Sequence, residues 1–258
     1  AQSYTYDGEK KTATVEVSGV PANMTVTEAS SNASATHVSD GVVTAHADKV
    51  KIEKDGKDVT PNFEIIYVDD ALEIIPAELT IVTADATKTY DGKPLTAGGT
   101  ITGLVNDSDA TLVTTGVQID VGKSSNTYTI DWADGVEQTD YKVVSETIGD
   151  LEVLPMKVTV TVIGGSKDYT GKPQTATVQG TGLTDSYTVA LATSDASVTH
   201  VSEGAVKAYA DHIQILDENG KDITDNLDIE YVDGWLEIIP VKLTVVTPNK
   251  TKTYDGYG

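Results

Sequence analysis

The sequence predicts an all-β chain of small tandem modules, and three observations carry that prediction. Apolar or β-branched residues alternate with polar ones over short runs, the period of a half-buried strand. Asp-Gly and Asn-Gly pairs punctuate those runs, and such pairs accept the positive φ that tight hairpins need. One cassette also returns three times with a period of roughly 80 residues, too long for a solenoid rung and suited to a small domain. Thr and Val are abundant, Leu is sparse, and no capped amphipathic stretch predicts a helix.

In the first cassette Thr12–Val17, Val50–Ile52, Phe63–Val68 and Leu72–Ile75 read as strands, separated by turns at Asp7-Gly8, Asp40-Gly41, Asp55-Gly56 and Asp69-Asp70. In the third copy, Glu203-Gly204, Asn219-Gly220 and Asp233-Gly234 stand at the same turns. The cassettes open at Tyr6-Asp7-Gly8, Tyr90-Asp91-Gly92 and Tyr169-Thr170-Gly171, and each closes on an apolar strand ending at Pro76, Pro155 or Pro240. Proline fixes φ and cannot donate to a ladder, so it stops one strand while barely lengthening the connection. The next strand follows at once, at Leu79–Val82, Val158–Val160 and Leu243–Val246, with no Gly/Ser-rich linker. The expected modules are 1–76, 77–155 and 156–240, with 241–258 beginning a fourth. Immunoglobulin-like sandwiches stacked as an elongated rod fit the strand count. A β-grasp-like module is the alternative, if a short helix lies within 28–48.

The copies alternate. His37-Val38-Ser39-Asp40-Gly41 returns as His200-Val201-Ser202-Glu203-Gly204, whereas the middle copy lacks that turn. The second and third cassettes each own an opening strand, but the sequence starts beyond the point where the first cassette's would lie, and 243–246 is a spare one. The expectation is a chain that is monomeric, or a first module that borrows the tail of a neighbouring molecule head to tail.

Composition narrows the function. The net charge is −22, from 40 acidic residues against 18 basic ones, and every basic residue is Lys. Without Arg, bidentate phosphate clamping is unavailable, and the negative field opposes nucleic acid and anionic lipid. The absence of Cys rules out disulfides, thiolate catalysis and Cys-based metal sites. No apolar run approaches the ~20 residues of a membrane-spanning helix, and no leader opens the sequence.

The Tyr-Asp-Gly-Lys-Pro opening at 90–94, the segments Asp58–Ile65 and Asp222–Ile229, and the Leu-Glu-Ile-Ile-Pro close leading into Leu-Thr-Val-Val-Thr resemble the YDG and MBG repeats of bacterial surface adhesins. The likeness extends over essentially the whole chain. Thr170 and Leu227 depart from it, where Asp and an aromatic are usual. The resemblance implies all-β modules of a wall-attached or secreted protein, typically Gram-positive and extracellular, with no catalytic residues to transfer.

Candidate sites are few. His37 and His200 hold the same repeat position, so a module's length separates them and they cannot share a metal. The acidic run around Asp217, Asn219 and Asp222 is a weak calcium candidate; it lacks the spaced acids and terminal Glu of an EF-hand, and a hairpin tip accounts for it better. Trp132 and Trp235 break the repeat template near turns. They either cover joints and core edges or contact a glycan or protein partner. Tyr6, Tyr90, Tyr169 and Tyr254 belong to the shared skeleton, as core or joint packing. A Lys–Asn or Lys–Asp isopeptide bond is chemically available. The expectation is therefore a non-enzymatic stalk or spacer without cofactor. Its alternative is a set of multivalent repeats binding host mucin, glycan or matrix protein.

Overall fold

The computed structural model describes residues 1–256. Strands dominate it, and helix among the described residues is confined to five three-residue 3-10 turns. No helix is long and apolar enough to cross a membrane. The chain divides into two compact units, one comprising 1–88 and 94–153, the other 89–93 and the residues from 154 on. The division falls between Val153 and Leu154, with Thr89–Lys93 belonging to the second unit, and the first two cassettes share the joint described below.

Within the first unit the second cassette displays the strand logic complete. Ala77–Thr83 lies centrally in its sheet, antiparallel to Gly99–Thr102 and parallel to Tyr141–Thr147. Alternate residues point inward, as a period of two demands, and Leu79 and Ile81 lose all solvent contact. The chain then crosses to a second sheet, ordered Ala86–Thr89, Asp150–Leu154, Gly122–Ser125. The buried Thr83 hydroxyl accepts the Gly149 N–H at 2.9 Å, and buried Asn126 donates to the carbonyls of Ala84, Ala97 and Gly98, which ties down this corner.

In the second unit the third cassette repeats the plan. Met156–Ile163 lies between Thr177–Thr181, antiparallel, and Leu227–Val232, parallel. Gly165–Asp168 continues it, parallel to the closing strand Gly234–Ile239, whose other neighbour Val206–Ala208 is antiparallel. The core gathers Val162, Ala176, Val198, Ala208, Leu236 and Ile238.

The first cassette keeps only half of this plan. Gln2–Thr5 pairs parallel with the closing strand Asp70–Ile75, and Val43–Ala45 pairs antiparallel on its other side. Ala13, Ala33, Ala35, Ala45, Leu72 and Ile74 form its core. Asp55 and Gly56, at φ 54° and 71°, make the left-handed turn that their sequence predicts between Ala47–Lys54 and Lys57–Asp58. Three expected strands do not form. The run 12–17 shrinks to Lys11–Thr12, while 63–68 and 243–246 belong to no ladder. Their sequences suit strands, but no neighbouring strand lies alongside them to satisfy their backbone groups. The segment 28–48 holds only the short 3-10 turn Val38–Asp40 besides strands, so the helix a β-grasp module requires there is missing.

Candidate functional site

The most highly organised polar site lies inside the first unit, where the first cassette meets the second. On the first cassette's side Asp40 shapes the turn: its carboxylate accepts the backbone N–H groups of Thr36 and His37 at 2.7 and 2.9 Å. Those two bonds hold its pKa below the usual carboxylate value. The turn so fixed presents the His37 ring, the Val38 N–H and the Ser39 hydroxyl in a row. From the second cassette the 3-10 turn Gln138–Asp140 carries a carboxylate into that row.

Asp140 is fully buried. Its Oδ1 accepts the Val38 N–H at 2.7 Å, and its Oδ2 lies 2.6 Å from His37 Nδ1. Ser39 donates to Glu137 beside it. The hydrogen bond to Asp140 raises the His37 pKa above 6.5, opposed by partial burial and reinforced by the charges of Asp140, Glu137 and Asp40. Around this core the rings interlock. Tyr6 meets Tyr141 edge-on at 5.5 Å and lies 5.8 Å from His37, while Trp132 leans on Tyr141 at 5.3 Å. Tyr141 donates to Asp109, and burial followed by that bond pushes its pKa up.

Three ligand atoms of His37, Glu137 and Asp140 lie within 4.8 Å of one another, the only such group among the described residues. Each is already engaged by a protein donor or acceptor across the joint. The cluster's chemistry is that of a charge-assisted latch.

Trp132 therefore belongs to the joint, half-buried against Tyr141 and Tyr6. Trp235 stands on the closing strand of the third cassette, opposite Lys207, and is 47% exposed. Around Asp217, Asn219 and Asp222 the carboxylates close the turn on itself: Asp217 Oδ1 accepts the N–H groups of Asn219 and Lys221, and Asp222 accepts from Thr224 and Gln214. Tyr6 and buried Tyr90 serve packing, whereas Tyr169 and Tyr254 are exposed.

Sequence reasoning missed the His37–Asp140 pair. One signal pointed to it: the repeat position that carries Asn62 and Asn226 in the outer cassettes carries Asp140 in the middle one. The third cassette repeats the other half, with Tyr169 6.2 Å from His200 at nearly the same tilt as Tyr6 and His37. No protein-family model matches the chain, and no curated protein matches it in sequence.

Proposed function

We propose that this chain is a non-catalytic spacer from a bacterial cell-surface protein, built of three tandem β-sandwich modules held as a semi-rigid rod outside the cell. The observation that carries this reading is the joint. The first and second cassettes meet through a buried carboxylate, a histidine and three interlocking aromatic rings, and only Pro76 intervenes between their strands. A spacer transmits position and force only if its joints resist bending, and a hydrogen-bonded, ring-packed joint resists bending better than a Gly/Ser linker. The acidic surface suits mutual repulsion between neighbouring stalks at a cell wall. Small-angle scattering of the intact protein tests this reading. A single extended particle that becomes more flexible in Asp140→Ala supports it; a compact globule, or identical flexibility in both proteins, refutes it.

A second reading, repeats that bind host mucin, glycan or matrix protein weakly and in several copies, draws support from the exposed ring of Trp235. Mucin binding by the purified protein that disappears in Trp235→Ala favours this reading over a pure spacer.

A further inference from the structure

Two acids of one turn converge on a histidine of the neighbouring cassette. In a 3-10 turn, residues three apart lie one above the other. Glu137, which caps Gln138–Asp140, and Asp140 at its end therefore present their carboxylates on one side. His37 arrives from the first cassette, so that a nitrogen of its ring and one oxygen of each acid lie within 4.8 Å of one another. Neither acid belongs to the shared repeat. The matching turns carry Val59 and Asn62 in the first cassette and Ile223 and Asn226 in the third, with no carboxylate at either position. Among the described residues, the pair of acids is confined to the one of these three turns that bonds a histidine ring.

We propose that His37, Glu137 and Asp140 bind a divalent transition-metal ion, such as Zn²⁺, across the joint. One imidazole nitrogen with two carboxylate oxygens suits that class of cation, whereas Ca²⁺ and Mg²⁺ take oxygen ligands. Three protein ligands leave the ion a position for water. The surrounding contacts are of the kind that orient metal ligands. Asp140 Oδ1 accepts the Val38 N–H at 2.7 Å while Oδ2 faces the ring, and Ser39 donates to Glu137. His37 Nδ1 and Asp140 Oδ2 lie 2.6 Å apart. Ligand atoms at zinc bonding distance stand about 3.3 Å from one another, so a parting of less than ~1 Å admits the ion. The ion then takes the proton's place on Nδ1, and the ring keeps its other proton on Nε2.

Charge and access agree with this assignment. The charged groups acting on the His37 ring are Asp140, Glu137 and Asp40, all carboxylates. Asp109 and Asp7 add theirs at the adjoining Tyr6, where Lys11 pairs with Asp7. Asp140 is fully buried, but the His37 side chain is 37% exposed, which gives an ion its way in. A bound ion would tie the two cassettes together through ligands from both. This goes beyond the spacer reading and does not depend on it, since that reading stands or falls on particle shape.

Zn²⁺ titrated into the chelator-treated full chain tests the proposal. In a Trp235→Phe background Trp132 is the only indole, 5.3 Å from Tyr141 beside the site. The expected result is that a single equivalent of Zn²⁺ shifts the Trp132 emission and raises the melting temperature of the first unit, while Ca²⁺ and Mg²⁺ do neither. Glu137→Gln alters an exposed residue and keeps an acceptor for Ser39, so the fold survives and Zn²⁺ binding should weaken about tenfold or more. His37→Ala should weaken it about a hundredfold, whereas His200→Ala, on the corresponding turn of the third cassette, should leave it unchanged. Any of three results overturns the proposal: neither emission nor melting temperature responds to Zn²⁺; binding persists undiminished in Glu137→Gln and His37→Ala, which places the ion elsewhere on the acidic surface; or Ca²⁺ binds as tightly as Zn²⁺, which marks attraction by charge alone.

Discussion

The first and third cassettes carry nearly the same sequence, yet only one of them is closed. Phe63-Glu-Ile-Ile-Tyr-Val68 and Leu227-Asp-Ile-Glu-Tyr-Val232 share pattern and turn residues. The second forms a six-residue strand against Met156–Ile163, while the first pairs with nothing and leaves Ile66 and Val68 in solvent. Equal propensity therefore produces a strand in one place and an open edge in the other. Strand formation is a property of pairs, because each backbone N–H and C=O must find a partner outside its own segment. The closing strands behave alike in both cassettes, since Gln2–Thr5 and Gly165–Asp168 each supply the missing neighbour.

The hardest test removes the third cassette's advantage. Val160 is fully buried between Gly180 and Tyr231, and Val160→Asp should bury an unpaired charge there. A loss of about 4 kcal/mol or more is expected on denaturant unfolding, with amides at 227–232 exchanging as freely as those at 63–68. Glycine substitution sharpens the contrast between cassettes. A Cβ on Gly103, at φ 97°, would lie 2.0 Å from the Glu78 carbonyl oxygen, whereas one on Gly19, at φ 79°, meets only open space. Gly103→Ala should therefore cost about 3 kcal/mol, and Gly19→Ala only about 1 kcal/mol, for the positive φ alone.

The joint separates the two cassettes in another way, since the His37 ring bonds Asp140 across it, whereas the His200 ring lies beside Tyr169 and among the described residues makes no such bond. His37→Ala leaves the buried Asp140 carboxylate with the Val38 N–H as its bond across the joint, an expected loss of about 2 kcal/mol. The pH dependence has a definite sign. The folded pKa of His37 is raised above 6.5, so its contribution is complete below pH 6.5 and is lost as pH climbs through the raised value. The thermal stability of the first unit should accordingly fall on going from pH 6 towards pH 8. His37→Ala and Asp140→Asn should both flatten that profile. The smallest effect belongs to Trp235, where Trp235→Ala should change stability by less than about 0.5 kcal/mol because the ring is half in solvent.

Much of the fold was legible in the residues. The alternation around Leu72, Leu151 and Leu236, the Asp55-Gly56 turn and the proline-bounded repeats all announced strands, because their signals are local and depend on side-chain period and turn geometry. The joint was far less legible. Asp140 looks like any other acid in a chain with 40 of them, and His37 looks like one member of a repeated turn shared with His200. Nothing local reveals that residues about a hundred positions apart meet at 2.6 Å. The Asn-to-Asp change between cassettes was a trace of it, visible only after the repeats are aligned.

By itself the sequence determined the all-β character, the repeat phasing and the places where strands end, since each follows from short-range sterics and patterning. Tertiary structure alone decided which strand-competent segments became strands and where a buried carboxylate found its histidine. Those outcomes depend on whether a partner from a distant part of the chain is present to satisfy backbone hydrogen bonds and exclude water, and no local pattern records that.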